Sequence, residues 1–326
     1  MAVLAPEVRS ATPRWLIRHE TLLAAILVVA LAILGLFNER FLTIDNLLNQ
    51  GRLMTEVGLL ALPMTFIIIT GGIDLSVGSI VGLCAIMLGY SWRNLGFPLP
   101  LAIAFAIGVG GVAGFVNGVL ITRVRVPPLI MTIATLALYR GFAEGISQAR
   151  SVRNYPEWFF FTGQGEWLGV PMQLWILLVG IIVAGVALDR TTFGRTLYAI
   201  GNNETAARFS GLPVDRVKLV VYTLSGLAAG LSAWVLVSRV TTTRSDMGSG
   251  YELDVIAAVV LGGTSIFGGV GTIWGTVVGL VMIQLLKNGL ALTGVKGDAT
   301  IIVIGAVLIA STLIASSLHG RREVAD

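Results

Sequence analysis

Six charged side chains lie in or at the edge of long apolar runs: Asp74, Arg140, Glu144, Glu252, Asp254 and Lys287. A charge in that setting costs several kcal/mol unless it is paired, so each is a functional candidate by default. Asp74 follows Gly71-Gly72-Ile73 and precedes an apolar helical run that begins near Ser76. Its carboxylate can cap the exposed N–H groups of that run or stand on a transport pathway. Glu252 and Asp254, next to Tyr251, open a later run, where acids favour the positive end of a helix. Capping or docking at the outer face is the reading for both, ahead of substrate binding. Arg140 and Glu144 are spaced i,i+4 and are expected to neutralise each other. Lys287 stands three or four residues from the end of its span and can snorkel.

No bond-making machinery accompanies these charges. Cys84 is the single cysteine and His19 and His319 the only histidines, which leaves no zinc or redox cluster. There is no G-x-x-x-x-G-K-[ST] phosphate loop, no H-E-x-x-H and no G-x-S-x-G turn. The expectation is therefore no catalytic residue, no metal and no cofactor. If ATP drives this protein, another chain must bind the nucleotide. An intramembrane enzyme would need a nucleophile and a base in one water-accessible bundle, and the sequence offers neither. An ion-coupled secondary transporter, with Asp74 or another intramembrane acid carrying the coupling, remains the open alternative.

The elements that must position these groups are built for a bilayer. Hydrophobic residues make up 55% of 326 positions and charged residues 12%. The charged share is about half of the usual 25% or so, so water is not the main solvent. Apolar runs predict an all-α bundle of ten spans near 21–37, 54–70, 75–90, 99–122, 128–147, 172–188, 218–238, 252–267, 271–291 and 299–317. At roughly 20 residues per span, ten spans leave room for short connections only, and 1–326 reads as one transmembrane domain. The 40 glycines fit a closely packed bundle. The run from Thr21 to Phe37 has no small-residue cleavage site after it and reads as a retained helix rather than a signal peptide.

Loop charge gives the orientation. Arg190, Arg195, Arg208, Arg216 and Lys218 form the densest basic cluster, which places the 189–217 loop in the cytoplasm. Arg123, Arg125, Arg321 and Arg322 agree, and Arg9, Arg14 and Arg18 put segment 1–20 on the same side. Both termini, including the 318–326 tail, are then cytoplasmic, and the loop from Gln148 to Pro171 lies outside. The net charge of +4 is a product of this topology, with lipid rather than nucleic acid as the partner. Tyr155, Trp158, Phe159, Phe160, Phe161 and Trp167 in the outer loop read as an interfacial belt, with substrate stacking as the alternative.

Paired glycines break two runs, at Gly71-Gly72-Ile73-Asp74-Leu75-Ser76 and at Gly262-Gly263-Thr264-Ser265-Ile266-Phe267-Gly268-Gly269. Corresponding breaks in two halves are the trace expected of an inverted 5+5 repeat, against chance recurrence in a glycine-rich chain. A different signal lies in the cytoplasmic stretch from Gly201 to Pro213. Asn203 can cap a two-turn helix, Glu204 and Arg208 suit its two ends, Gly211 supplies a left-handed end and Pro213 stops it. Too short to stand alone in water, this helix must dock, either on a partner as a rigid lever or on its own bundle.

Gly-Gly-Ile-Asp-Leu-Ser-Val-Gly-Ser at 71–79, the Glu204 to Gly211 segment, and Gly250-Tyr251-Glu252-Leu253-Asp254 followed by 257–265 occur in one order along the chain. Together they resemble the permeases of ribose-type sugar ABC importers. The resemblance implies an inner-membrane permease that pairs with a second copy or a paralogue. It also implies delivery of the sugar by a periplasmic binding protein and power from a cytoplasmic ATP-binding subunit. On the same grounds Glu204, Ala206, Ala207, Arg208, Phe209 and Gly211 match the coupling helix, with Thr205 as a departure from the broader Glu-Ala-Ala pattern. Val270 stands where many relatives carry a basic residue. Relatives with these motifs handle ribose, xylose, galactose, rhamnose or the sugar-derived signal autoinducer-2.

Overall fold

The computed structural model describes residues 41–292 and a few isolated positions on either side. The expected spans at 21–37 and 299–317, segment 1–20 and the 318–326 tail fall, apart from those positions, outside the described residues. Among the described residues six helices are long and apolar enough to cross a bilayer. They are α1 (Ile44–Ile69), α3 (Leu99–Thr122), α4 (Pro128–Ser147), α6 (Met172–Arg190), α9 (Val214–Val240) and α11 (Ile273–Leu292). Two shorter apolar helices join them, α2 (Val77–Arg93) and α10 (Tyr251–Leu261). The 148–171 connection folds into α5 (Glu157–Gln164) and a two-stranded antiparallel hairpin, β1 (Glu166–Trp167) with β2 (Val170–Pro171). The connection between α6 and α9 folds into α7 (Thr192–Asn202) and α8 (Glu204–Phe209).

Prolines set several starts. Pro127 caps α4 and Pro128 opens it, where a fixed φ and a missing N–H cost nothing. The 99–122 and 128–147 expectations coincide with α3 and α4 because their apolar runs are long and no glycine pair or proline stops them before the end. Helix α1 begins ten residues before the expected 54–70 span, at Ile44, after Thr43 accepts a hydrogen bond from the Asn46 amide. Its early turns carry Asn46, Gln50 and Arg52, which mask the apolar pattern.

Helices α1 and α9 form the centre. Every residue from Thr55 to Ile69 is buried. Helix α9 lies against α3 through Gly110, Gly114, Gly226 and Gly230, where an added Cβ would overlap the facing backbone. Such close approach is how bilayer helices gain contact without a hydrophobic driving force.

The eighth expected span, 252–267, is corrected: helix α10 is 11 residues long and stops at Leu261. Gly263 takes φ 90, its N–H bonds the Val260 carbonyl, and the Thr264 N–H bonds the Val259 carbonyl. That is a Schellman end, and residues 264–272 continue as a turn before α11. At about 16 Å, α10 is too short to cross a bilayer of about 30 Å alone.

Candidate functional site

The first glycine break ends α1 with the same backbone chemistry. Gly71 takes φ 75, its N–H bonds the Ile68 carbonyl, and the Gly72 N–H bonds the Ile67 carbonyl. Beyond it Asp74 is completely buried. One carboxylate oxygen accepts from the Ser76 amide at 2.9 Å and the Ser76 hydroxyl at 2.6 Å. The other accepts from Ser225 of α9 at 3.1 Å. Asn117 of α3 donates to the Ser76 hydroxyl at 2.8 Å, and Tyr139 of α4 donates to the Asn117 side-chain oxygen at 3.2 Å. Asp74 therefore fixes the turn ahead of α2 rather than capping its first N–H groups, and it ties α2, α3, α4 and α9 together. Both of its oxygens are hydrogen-bonded, and the side chain is sealed from solvent in this structure.

The motifs read apart in the sequence meet in space. Gly78 abuts Gly248 and the Glu252 carboxylate, so that a Cβ there would overlap both. Arg140 crosses this contact and donates to the carbonyls of Ser245, Met247 (3.0 Å) and Gly78 (3.3 Å). The expected Arg140–Glu144 pair is therefore corrected: the guanidinium points into the bundle and Glu144 is exposed. Backbone carbonyls satisfy the half-buried cation, which no side-chain spacing announces.

At the other end of α10, the second break folds back onto the first. The Gly269 N–H bonds the Ile69 carbonyl at 2.9 Å, and Gly268 lies against Gly71 and Gly201. Tyr198 of α7 donates to the Gly271 carbonyl at 2.7 Å. Gly201 has no space for a side chain, because Ile69 and Gly269 backbone atoms fill it. Gly262 packs as closely on Gly275 of α11. In the turn, the Ser265 N–H bonds the Val270 carbonyl, while the Thr264 hydroxyl is buried without a hydrogen-bond partner among the described residues. Both glycine breaks and the end of α7 thus form one joint.

From that joint α8 extends. Asn203 caps it by accepting from the Ala206 amide at 2.9 Å. Gly211 takes φ 78 and closes a further Schellman end with the Leu212 N–H on the Ala207 carbonyl. Glu204 accepts from Arg208 at 2.9 Å and from Lys218 of α9 at 2.5 Å, and Arg208 reaches Asp215 at 2.5 Å. Burial alone would raise the Glu204 carboxyl, but hydrogen bonds from Lys218 and Arg208 outweigh it and hold it below the ordinary carboxylate value. Ala207 is buried on the bundle, Ala206 is exposed, and Phe209 is 89% exposed. One face is docked and the other presents an uncovered aromatic ring.

Several polar contacts escaped the sequence reading. Glu56, fully buried in α1, pairs with Arg239 of α9 at 2.7 Å. Gln50 accepts from Gln284 at 2.9 Å, and Asn46 donates to Asn288 at 2.9 Å, both across α1 and α11. The available signal was an acid ahead of an unbroken apolar run at Val57–Ile69, together with amides spaced by four on each helix. Lys287 does not snorkel: it pairs with Asp254 of α10 at 2.5 Å, so Asp254 is an ion-pair partner rather than a cap. Glu252 accepts from the Gly250 N–H at 3.2 Å, and Tyr251 is partly buried beside Arg239. The outer aromatics divide: Tyr155 and Phe159 are buried and stacked at 4.7 Å, whereas Trp158, Phe161 and Trp167 are exposed.

Among the described residues no group of three His, Cys, Asp or Glu side chains is placed to hold a metal ion. A bundle of apolar helices, one of them, α10, stopped short at a glycine break, with charges paired inside it, is that of a multi-pass membrane protein. The family described as "Branched-chain amino acid transport system / permease component" matches residues 44–312, and the chain belongs to it. The chain is similar to the autoinducer 2 import system permease protein of Photorhabdus luminescens, 36% identical over 307 residues and 92% of each chain. The proteins of that name from Escherichia coli (strain K12) and Shigella flexneri are 36% identical over 314 residues, 94% of each chain. No solved structure matches. The protein is a multi-pass, non-catalytic permease subunit of an importer in the inner membrane.

Proposed function

We propose that this permease imports a monosaccharide or sugar-like compound from periplasm to cytoplasm, driven by ATP hydrolysis on a separate cytoplasmic subunit. A periplasmic sugar-binding protein delivers the solute, and a second permease, identical or paralogous, completes the pathway. The chain is one domain, 1–326, with ten membrane segments in an inverted 5+5 repeat, of which α10 goes only part of the way, and both termini are cytoplasmic. The observation that carries the reading is α8, whose Glu204, Ala206, Ala207, Arg208, Phe209 and Gly211 make a capped, ion-paired helix with one face on the bundle and Phe209 uncovered. An ATP-binding subunit that takes up Phe209 moves α8, and α7 carries that motion into the glycine joint.

Gly71, Gly72, Asp74 and Ser76 on one side and Gly262, Gly263, Thr264 and Ser265 on the other are the helix breaks on which the two permease halves rearrange. Two packings of similar energy suffice, and ligand and nucleotide select between them. Tyr251, Glu252 and Asp254 belong to the periplasmic half, where α10 begins. The matched family is described by branched-chain amino acids and the similar proteins by autoinducer 2. The sugar reading is supported by similarity over 92% of both chains and by the three motifs of the ribose-type group.

Vesicles loaded with the purified complex test this reading. Uptake is expected to require ATP and to survive collapse of proton and sodium gradients. Uptake that persists without ATP and disappears with an ion gradient would overturn it in favour of a secondary transporter. Calorimetry on the co-purified binding protein identifies the solute.

A further inference from the structure

Arg244 and Asp246 form an ion pair on residues 241–250, the stretch between α9 and α10 that is neither helix nor strand. The depth of this stretch follows from the helices beside it. Gly110 stands halfway along α3, and an added Cβ there would lie 3.1 Å from the Cys84 sulfur of α2. Cys84 is therefore at the centre of the bundle. An added Cβ on Gly82, two residues from Cys84, would lie 2.9 Å from the carbonyls of both Ser245 and Met247, while Gly89, toward the far end of α2, meets Thr243. The segment thus runs along α2 for about 10 Å and reaches the bundle centre as irregular backbone.

Such backbone is tolerated at membrane depth only where it is buried in protein or lines water. Residues 241–250 do both, on opposite faces. Thr243, Met247 and Gly248 are buried against α2, and Arg140 takes up the Ser245 and Met247 carbonyls. Arg244, Asp246, Ser249 and Gly250 are exposed, the first two by 59% and 58% of their side chains. Hydrocarbon cannot cover that face, because it would leave two charges and open peptide groups unsolvated. A cavity of about 500 Å³ between the C-terminal ends of α2 and α4 has Thr243 on its wall, so open space adjoins the head of the segment.

The pair is a flat fork. Arg244 Nε donates to one Asp246 oxygen at 2.9 Å, and a terminal nitrogen donates to the other. Guanidinium N–H donors and carboxylate lone pairs are left side by side. That arrangement matches hydroxyls on adjacent carbons, each of which both donates and accepts. Neutral in sum, the pair suits an uncharged solute.

We propose that Arg244, Asp246 and Ser249 line a water-filled solute pathway at the bundle centre, where the Arg244–Asp246 pair binds vicinal hydroxyls of an uncharged polyol. The proposal rests on the importer reading above and adds where the solute passes and what it touches. A second permease is the other occupant that this face admits, and its exposed charges favour water.

The test is thiol accessibility in the whole importer complex in nanodiscs, read by mass on this chain. Ser249→Cys is treated with a charged, water-soluble methanethiosulfonate. The references are wild type, whose single cysteine is the buried Cys84, and Val179→Cys on an exposed apolar position of α6. The 249 variant is expected to react at least about tenfold faster than the 179 variant, because thiolate forms in water. Ribose, a vicinal diol, should slow that reaction at least about twofold at half-occupancy, and leucine should not. Adding Arg244→Gln and Asp246→Asn should abolish the protection by ribose. Ser245→Cys, with the same readouts, serves if the 249 variant does not assemble. A 249 variant as inert as the 179 variant would overturn the pathway and make the face a contact with the second permease. Reaction that ribose does not slow, that leucine slows as much, or that ribose still slows in the double variant would overturn the hydroxyl site. The importer reading fails separately, in the ion-gradient test above, because labelling does not depend on what drives uptake.

Discussion

The two glycine breaks begin alike and end differently. Gly71 and Gly263 both take left-handed φ and both close Schellman ends, on α1 and α10. After the first, Asp74 is buried with both oxygens hydrogen-bonded to groups from α2 and α9. After the second, the Thr264 hydroxyl is buried without a hydrogen-bond partner among the described residues, and Ile266 and Phe267 are exposed. A helix stop is a local matter that glycine decides. Whether the stop becomes a fixed point or a movable turn depends on what distant helices bring to it. The first break is an anchor held by side chains from distant helices, and the second is held by backbone hydrogen bonds to α1 and within its own turn.

The largest effect expected from this contrast is at Asp74. Asp74→Ala strands the Ser76 and Ser225 hydroxyls and the Ser76 amide in a sealed site and should cost roughly 3 kcal/mol, read as a lower melting temperature of the purified complex. An undiminished melting temperature would remove the anchor. Next come the glycines. Gly71→Ala and Gly263→Ala should each cost about 1–2 kcal/mol, because the left-handed penalty is the same at both stops. Unequal losses would mean that the two ends are not equivalent after all. Smaller still is Thr264→Val, which removes a hydroxyl that has no partner and should shift stability by less than about 1 kcal/mol. A large loss there would reveal a bond that fixes the second break as firmly as the first.

How much of this was legible depends on how far apart the partners are. The α8 cap was readable because Asn203, Glu204, Arg208 and Gly211 act within nine residues of one another. Helices α3 and α4 were readable because their apolar stretches are long enough to outweigh isolated polar residues such as Asn117 and Arg140. The first three turns of α1 were not, since Asn46 and Gln50 look like loop residues until Asn288 and Gln284 are found facing them. Arg140 was misassigned for a related reason: its partners are carbonyls, which every residue carries. That the two glycine breaks touch, through Gly269 and Ile69, was likewise outside local pattern.

The smallest predicted effect concerns pH at α8. The Glu204 carboxyl lies below its ordinary value, so its stabilising contribution is complete above the unfolded-state value and is lost as pH falls through the folded one. The melting difference between wild type and Glu204→Gln should therefore be constant from about pH 5 to 8 and shrink only below about pH 4. A difference that changes between pH 6 and 8 would assign the titration to another group.

The central claim is that α8 transmits ATPase motion to the glycine joint, and Phe209 is its most exposed point. The decisive measurement is binding-protein-stimulated ATP hydrolysis and solute uptake, in the same proteoliposomes, for the Arg208→Ala/Phe209→Ala double variant. Loss of both stimulation and uptake, with the helix bundle still folded and lipid-embedded, is the predicted result. Stimulation and uptake equal to wild type would contradict it.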